Sequence, residues 1–263
     1  TVCRWAVEDY RDERPKRALV RCRLRFRFSI ALALILFTAP TARAGDQGCV
    51  VAIDIGHSAS AQGAVSARGV GEFVFNGNIA NLLLEKIRGD GIDQAFIIDS
   101  NGKSLQQRTE SAKLQNANLL ISIHHDSVQP SYLSTWRYDG AEHRYSDRFH
   151  GFSLFVSKKN PQAEESLQLA RDIGSQLVKA GFSPSLHHAE KIKGENRELV
   201  DRKRGIYTYD DLIVLKTAAM PAVLLECGII VNRKEETRLT DPTNQNKLVT
   251  AVAAGIEQAC KGF

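Results

Sequence analysis

The feature that most constrains the fold is a series of short apolar runs that alternate with amphipathic stretches. The first run, Val50–His57, reads VVAIDIGH and is apolar at both alternating sets of positions. This pattern is typical of a parallel strand that is buried on both faces. The other runs that predict strands are Gln94–Ile98, Leu119–His124, Phe152–Val156, Ala222–Leu225 and, at an edge of the sheet, Leu212–Leu215.

The segments between these runs have helical periodicity. In Phe75–Arg88, the apolar residues Ile79, Leu82, Leu83 and Ile87 lie at positions i, i+3, i+4 and i+8. This spacing places them on one face of a helix. The other predicted helices are Leu105–Asn116, Pro161–Ala180 and about Asn244–Ala259. Strands that alternate with helices favour a single α/β domain with a mostly parallel, twisted sheet and helices on both faces.

Three stretches lack either periodicity and are predicted to be irregular. Ser58–Gly71 is rich in Ser, Ala and Gly and predicts a loop. Gln129–Phe149 predicts an inserted surface loop that is long enough to have a function. Pro184–Arg204 is polar and basic and predicts a second loop region.

Residues 1–44 have the pattern of a secretory signal peptide. An arginine-rich start precedes the apolar stretch Phe28–Phe37, and Ala42-Arg43-Ala44 is a small-x-small cleavage pattern. We predict cleavage after Ala44, export to the periplasm or the extracellular space, and no membrane span in the mature chain. The apolar stretch of the leader is itself short for a membrane span. The alternative is an uncleaved membrane anchor.

The positive net charge belongs mostly to this leader. Residues 1–44 hold 10 of the 35 basic and 4 of the 30 acidic residues, which leaves 25 basic and 26 acidic residues in 45–263. The charge of +5 therefore says nothing about nucleic acid. A nearly neutral mature chain disfavours a nucleic-acid partner.

Three cysteines remain after the predicted cleavage. Cys49 precedes the first strand and Cys260 ends the last helix. Because chain termini often lie close together in a domain, we expect a Cys49–Cys260 disulfide, with Cys227 as a buried thiol. Three free thiols are the alternative.

Ionisable residues stand where several of the predicted strands end. His57, the pair His124-His125, and Glu226 follow apolar runs, and Glu72 stands at the start of the first helix. Ligand sites of open α/β sheets gather at the carboxyl ends of strands. Two imidazoles and one carboxylate form the ligand set of a catalytic zinc site, and a second carboxylate can serve as general base.

Each of these residues also has a structural interpretation. His57 can occupy a turn, Glu72 can stabilise a helix N-terminus, and Glu226 can form a buried salt bridge. Successive strand residues point to opposite faces, so at most one of His124 and His125 faces a given site.

The residues from about Cys49 onward resemble the zinc-dependent N-acetylmuramoyl-L-alanine amidases of the bacterial cell wall, known as amidase type 3. The matching segments are Ile53–His57, Gly71-Glu72, Ser122–Asp126, Met220–Gly228 and, more weakly, Arg204-Gly205. The resemblance implies that zinc is held by His57, Glu72 and His124, that Glu226 is the catalytic carboxylate, and that residues 45–263 are the zinc amidase catalytic domain. It implies peptidoglycan as the substrate, cleaved between N-acetylmuramic acid and L-alanine, and places Arg204-Gly205 near the substrate.

The sequence departs from the family pattern at two points. Ile55–Ala59 reads IGHSA where the family commonly has PGHGG, and the histidine before Asp126 is doubled, which leaves His125 as an alternative ligand. A zinc peptidase acting on the stem peptide and a non-catalytic peptidoglycan-binding module remain alternative functions. A requirement for a protein activator also stays open.

Overall fold

The computed structural model describes residues 48–263, and the predicted signal peptide lies outside the described residues. These residues form one compact unit. Its strands are β1 Val51–Ile55, β2 Ala95–Ile97, β3 Leu119–Asp126, β4 Ser134–Tyr138, β5 Ala141–Tyr145, β6 Ser153–Val156, β7 Glu198–Asp201, β8 Ile206–Thr208 and β9 Ala222–Ile229. Its helices are α1 Glu72–Gly89, α2 Leu105–Leu114, α3 Ala163–Lys179, α4 Ile213–Thr217, α5 Arg233–Leu239 and α6 Pro242–Cys260, with 3-10 turns at Pro130–Tyr132 and His187–Ala189.

Seven strands form one mixed sheet in the order β2-β1-β3-β9-β6-β8-β7. β1 is parallel to β2 and β3, and β3 is parallel to β9. β6 runs antiparallel to β9 and parallel to β8, and β7 is an antiparallel edge strand. The prediction of a mostly parallel sheet is confirmed, and the parallel strands β1, β3 and β9 form its buried centre.

Helices cover both faces of this sheet, as predicted. On one face, α1, α3 and α6 bury residues such as Leu83, Ile173 and Val252 against β1, β3, β6 and β9. On the other face, α2 and α4 contribute Ala112 and Leu215 to a second apolar cluster. No helix in the described part of the chain is long and apolar enough to span a bilayer.

Side-chain caps fix the starts of several helices. Ser104 and Gln107 form a reciprocal capping box at the start of α2. Asp241 accepts a hydrogen bond from the backbone of Asn244, and Pro242 occupies the first position of α6, where its missing N–H costs nothing. The boundaries of the long helices therefore follow from local sequence.

The prediction of an irregular loop at 129–149 is wrong, because this segment forms the β4–β5 hairpin. The two strands pair in an antiparallel ladder from Ser134 opposite Tyr145 to Tyr138 opposite Ala141. Asp139 and Gly140 have φ of 48° and 78°, the signature of a type I′ turn, which Asp-Gly favours. The strands are mostly exposed, so no apolar alternation marks them.

Two further predictions of secondary structure are wrong. Leu212–Leu215 forms the N-cap and first turn of α4 rather than an edge strand, because a short apolar run has the same composition in a buried helix. The polar stretch 184–204 contains the edge strand β7, which is largely exposed and so lacks an apolar signal.

The predicted disulfide is confirmed. Cys49 and Cys260 are bonded, with their Cα atoms 5.5 Å apart, and Cys227 is a buried free thiol. The bond joins Cys49, which lies two residues before β1, to the last residue of α6 across 211 positions of sequence.

Removing this bond is expected to destabilise the domain. The double variant C49S/C260S should lose about 2–5 kcal/mol of unfolding free energy, because its unfolded chain is no longer constrained. Chemical denaturation with and without a reductant measures the loss. Reductant should lower the stability of the wild-type protein to that of the variant and leave the variant unchanged. Equal stability of both proteins without reductant would contradict the prediction.

Candidate active site

Three of the predicted site residues meet at the carboxyl ends of the central strands. The Glu72 carboxylate lies between two imidazoles, with Oε2 2.9 Å from His57 Nε2 and Oε1 3.0 Å from His124 Nδ1. Burial by itself would raise the pKa of Glu72, but the hydrogen bonds to His124 and His57 lower it well below its usual value. The carboxylate is therefore ionised, and the three side chains can hold a metal ion with donor atoms within 4.8 Å of one another.

The backbone is shaped around this trio. A Cβ atom on Gly56 would lie 2.3 Å from His124 Nε2, and one on Gly63 would lie 2.4 Å from Glu72 Oε2. His57 has φ of 68°, a conformation that non-glycine residues seldom adopt. Such strain persists where the surrounding structure enforces it, often at functional sites. The chain thus turns at His57 without the glycine-rich run of the family pattern.

Glu226 lies beside the trio but inside β9 rather than at its end, because the strand continues to Ile229. Its Cα pairs with that of His124 on β3, and Glu226 Oε2 is buried without a hydrogen-bond partner. Burial and the negative charges of Asp126 and Glu72 raise the pKa of Glu226 well above its usual value. A cation bound at the trio would oppose this shift.

His125, the alternative ligand, points away from the trio. Its ring is buried, and its Nδ1 lies 2.8 Å from Asn76 Oδ1 on α1. Burial lowers the pKa of His125 to about 3, so the ring is neutral. The doubled histidine thus separates into one residue on each face of β3, as strand geometry requires.

A buried ion pair supports the His57 turn, and the sequence analysis missed it. Arg108 of α2 pairs with Asp54 at 3.1 Å and donates hydrogen bonds to the carbonyl oxygens of Ile55 at 2.8 Å and His57 at 2.6 Å. Ser122 Oγ donates to the other Asp54 oxygen at 2.7 Å. The sequence feature that could have indicated this ion pair is Asp54, since a carboxylate inside an apolar strand needs a cationic partner.

Replacing Arg108 with alanine is expected to cost about 3–5 kcal/mol of unfolding free energy, because it leaves the Asp54 charge buried and unpaired. Urea denaturation measures this loss. The double variant Asp54→Ala/Arg108→Ala should lose less than the sum of the two single variants, since it removes the isolated charge as well. A loss below about 1 kcal/mol for Arg108→Ala, the range of an exposed pair, would contradict the prediction.

Glu72 is buried, whereas His57 and His124 of the trio line a cleft of about 410 Å³ together with Glu226. Its lining also includes Asp126, His188 and Arg197, which were not among the predicted site residues. Burial alone would lower the pKa of His188, but Asp126 and Glu195 raise it to about 9. Arg204, which the resemblance placed near the substrate, is not among the lining residues and instead bonds Asp201 and Ser175.

An α/β domain with candidate metal ligands and an unpartnered carboxyl in one cleft has the groups of a metal-assisted hydrolase. The profile of the family described as N-acetylmuramoyl-L-alanine amidase matches residues 51–258. The chain belongs to this family, which confirms the resemblance seen in the sequence.

Curated relatives and solved structures agree with this membership. The N-acetylmuramoyl-L-alanine amidase AmiA of Escherichia coli is 28% identical over 231 residues, covering 82% of this chain and 78% of AmiA. The uncharacterized protein YqiI of Bacillus subtilis is 28% identical over 227 residues, covering 85% of this chain and 92% of YqiI. The catalytic domain of the amidase CwlV from Bacillus (Paenibacillus) polymyxa var. colistinus superposes with a TM-score of 0.59 at 27% identity, covering 80% of this chain and 97% of that domain.

Proposed function

We propose that this amidase hydrolyses the amide bond between N-acetylmuramic acid and the L-alanine of the peptidoglycan stem peptide, with zinc held by His57, Glu72 and His124. Membership of the amidase family supports the reaction class. The observation that carries the site assignment is the pairing of His124 with Glu226 on adjacent strands, which brings the candidate ligands and an unpartnered carboxyl into one cleft.

The donor set of the trio suits zinc. Two imidazoles and one carboxylate leave a coordination position open, as catalytic zinc sites require. The described cysteines are unsuited to a thiolate site, because two are bonded to each other and burial raises the pKa of Cys227 well above its usual value. When bound, zinc supplies Lewis-acid polarisation of a carbonyl group and acidification of a water molecule.

Glu226 has the role of general base and then general acid. Its buried Oε2 has no competing hydrogen bond, and a cation at the trio would oppose the raised pKa of Glu226 and favour the carboxylate, which can accept a proton from the attacking water. Glu226 then returns that proton to the nitrogen of the leaving L-alanine, which departs as a free amine. Glu72 is ionised between the two imidazoles and would serve as the anionic ligand of the trio.

Mass spectrometry of a defined muropeptide tests the cleaved bond. After incubation with the purified protein and zinc, we expect a free sugar and an intact stem peptide with L-alanine at its amino end. A shortened peptide still attached to the sugar would indicate a peptidase instead. Zinc binding without any cleavage would indicate a binding module or a missing activator, and would contradict the proposal that the purified protein hydrolyses this bond.

We propose further that residues 1–44 direct export and that residues 45–263 are the mature enzyme. Peptidoglycan lies outside the cytoplasmic membrane, so an enzyme that acts on it must be exported. Amino-terminal sequencing of the exported protein should start at Gly45, and an intact arginine-rich start would contradict the cleavage site.

A further inference from the structure

A second cluster of histidines and carboxylates lies in the wall of the same cleft. Asp126 Oδ2 is 2.8 Å from His188 Nε2 and 3.2 Å from His187 Nε2. The three side chains offer donor atoms within 4.8 Å of one another and share no residue with the trio. Asp126 comes from β3, whereas the two histidines come from the 3-10 turn at His187–Ala189.

The outer nitrogen of each imidazole is already held by another side chain. His188 Nδ1 lies 2.9 Å from Glu195 Oε2, and His187 Nδ1 lies 2.9 Å from Ser185 Oγ. Gln129 donates a hydrogen bond to the other Glu195 oxygen and fixes that carboxylate. Metal-binding histidines typically hydrogen-bond through the nitrogen that does not bind the metal, and this contact orients the ring.

One polar atom of the cluster remains unexplained by these contacts. His187 is 2% exposed, and its Nε2 faces Asp126 without forming a hydrogen bond. The ion pair between Asp126 and His188 does not require His187. Burying His187 Nε2 without a partner is therefore an unexplained cost, because buried polar atoms are normally hydrogen-bonded. A metal ion would use this nitrogen, and Asp126 and His188 reach the open cleft, where further ligands could enter.

We propose that Asp126, His187 and His188 form a second binding site for a divalent transition metal of the zinc class. Two imidazoles and one carboxylate favour such an ion over magnesium or calcium, which prefer all-oxygen sites. Asp126 and Glu195 supply two negative charges that balance the positive charge of a divalent ion. The site shares no residue with the trio and needs no assumption about the proposed reaction.

Zinc content after dialysis against zinc chloride tests this site. Elemental analysis should find two zinc ions in the wild-type protein and one in His57→Ala, which disrupts only the trio. His188→Gln should also retain one, and the His57→Ala/His188→Gln variant should retain none. The glutamine preserves a hydrogen-bonding side chain between Asp126 and Glu195, and circular dichroism verifies that each variant is folded.

A milder pair of variants separates metal binding from structural effects. Glu195→Gln removes the carboxylate behind His188 and is expected to weaken zinc binding at this site about 10–100-fold, measured in the His57→Ala background. Glu190→Gln is the matched control on the same segment, because Glu190 bonds Tyr132 rather than a histidine, and it should leave the affinity unchanged.

The outcomes distinguish this site from the proposed catalytic site. One zinc ion in the wild-type protein and none in His57→Ala would overturn the second site and leave the trio intact. One zinc ion that is lost in His188→Gln but retained in His57→Ala would support the second site and overturn the trio. No bound zinc in the wild-type protein would overturn both.

Discussion

Replacing Glu226 with glutamine is expected to lower the rate of muropeptide hydrolysis about 10²–10⁴-fold, the usual contribution of a general acid–base residue. Glutamine preserves the shape of the side chain on β9 but accepts no proton at its amide. Because Glu226 is not among the trio, zinc content should stay at the wild-type value. Liquid chromatography of the released stem peptide measures the rate, and elemental analysis measures the zinc.

A matched substitution shows whether the effect belongs to the cleft. Glu85 lies on the exposed side of α1, so Glu85→Gln makes the same chemical change away from the cleft and should retain full activity. Wild-type hydrolysis by Glu226→Gln would exclude Glu226 as the proton carrier. An inactive Glu226→Gln that has also lost its zinc would assign Glu226 a structural role in the metal site.

The second large effect is expected at His57. His57→Ala removes one of three protein donors from the trio, so the zinc ion held there and the hydrolytic activity should both be lost. The side chain is partly exposed and its backbone is held by Arg108, so the fold should persist. Elemental analysis and the muropeptide assay measure the two losses.

The neighbouring histidine provides the control for this variant. His125 makes a buried contact with Asn76 on the opposite face of β3, so His125→Gln should lower stability while zinc at the trio is retained. If His125→Gln lost the zinc and His57→Ala kept it, the assignment of the ligands would be wrong.

The core of the fold could be predicted because burial leaves a strong pattern in the sequence. β1, β3 and β9 are apolar on both faces, and α1, α3 and α6 each bury one stripe, so both kinds of periodicity were visible. The strands of the β4–β5 hairpin and β7 are largely exposed, so they have no apolar alternation by which the sequence would indicate a strand. The error at α4 arose because the apolar run Leu212–Leu215 is too short to distinguish helical from strand periodicity.

The candidate site was predictable only where chemistry and strand position coincide. His57, Glu72, His124 and Glu226 stand beside predicted strands or at a helix start. In the structure His57, His124 and Glu226 line one cleft, and Glu72 contacts the two histidines. The contact between Asp126 and His188 joins residues 62 positions apart, and nothing local in the sequence signals it. The Asp54–Arg108 pair joins residues 54 positions apart, although a carboxylate inside an apolar run was a visible hint.

The Cys49–Cys260 bond gives the described domain a mechanical property that its sheet alone would not provide. The bond closes residues 49–260 into a covalent loop, so tension applied along the chain from outside passes through two sulfur atoms and bypasses the hydrogen bonds of β1 and the packing of α6. With a sequence separation of 211 between the cysteines, reduction would release on the order of 700 Å of extensible chain. The fold between the two cysteines, including the candidate cleft, would therefore keep its geometry under tension applied outside them.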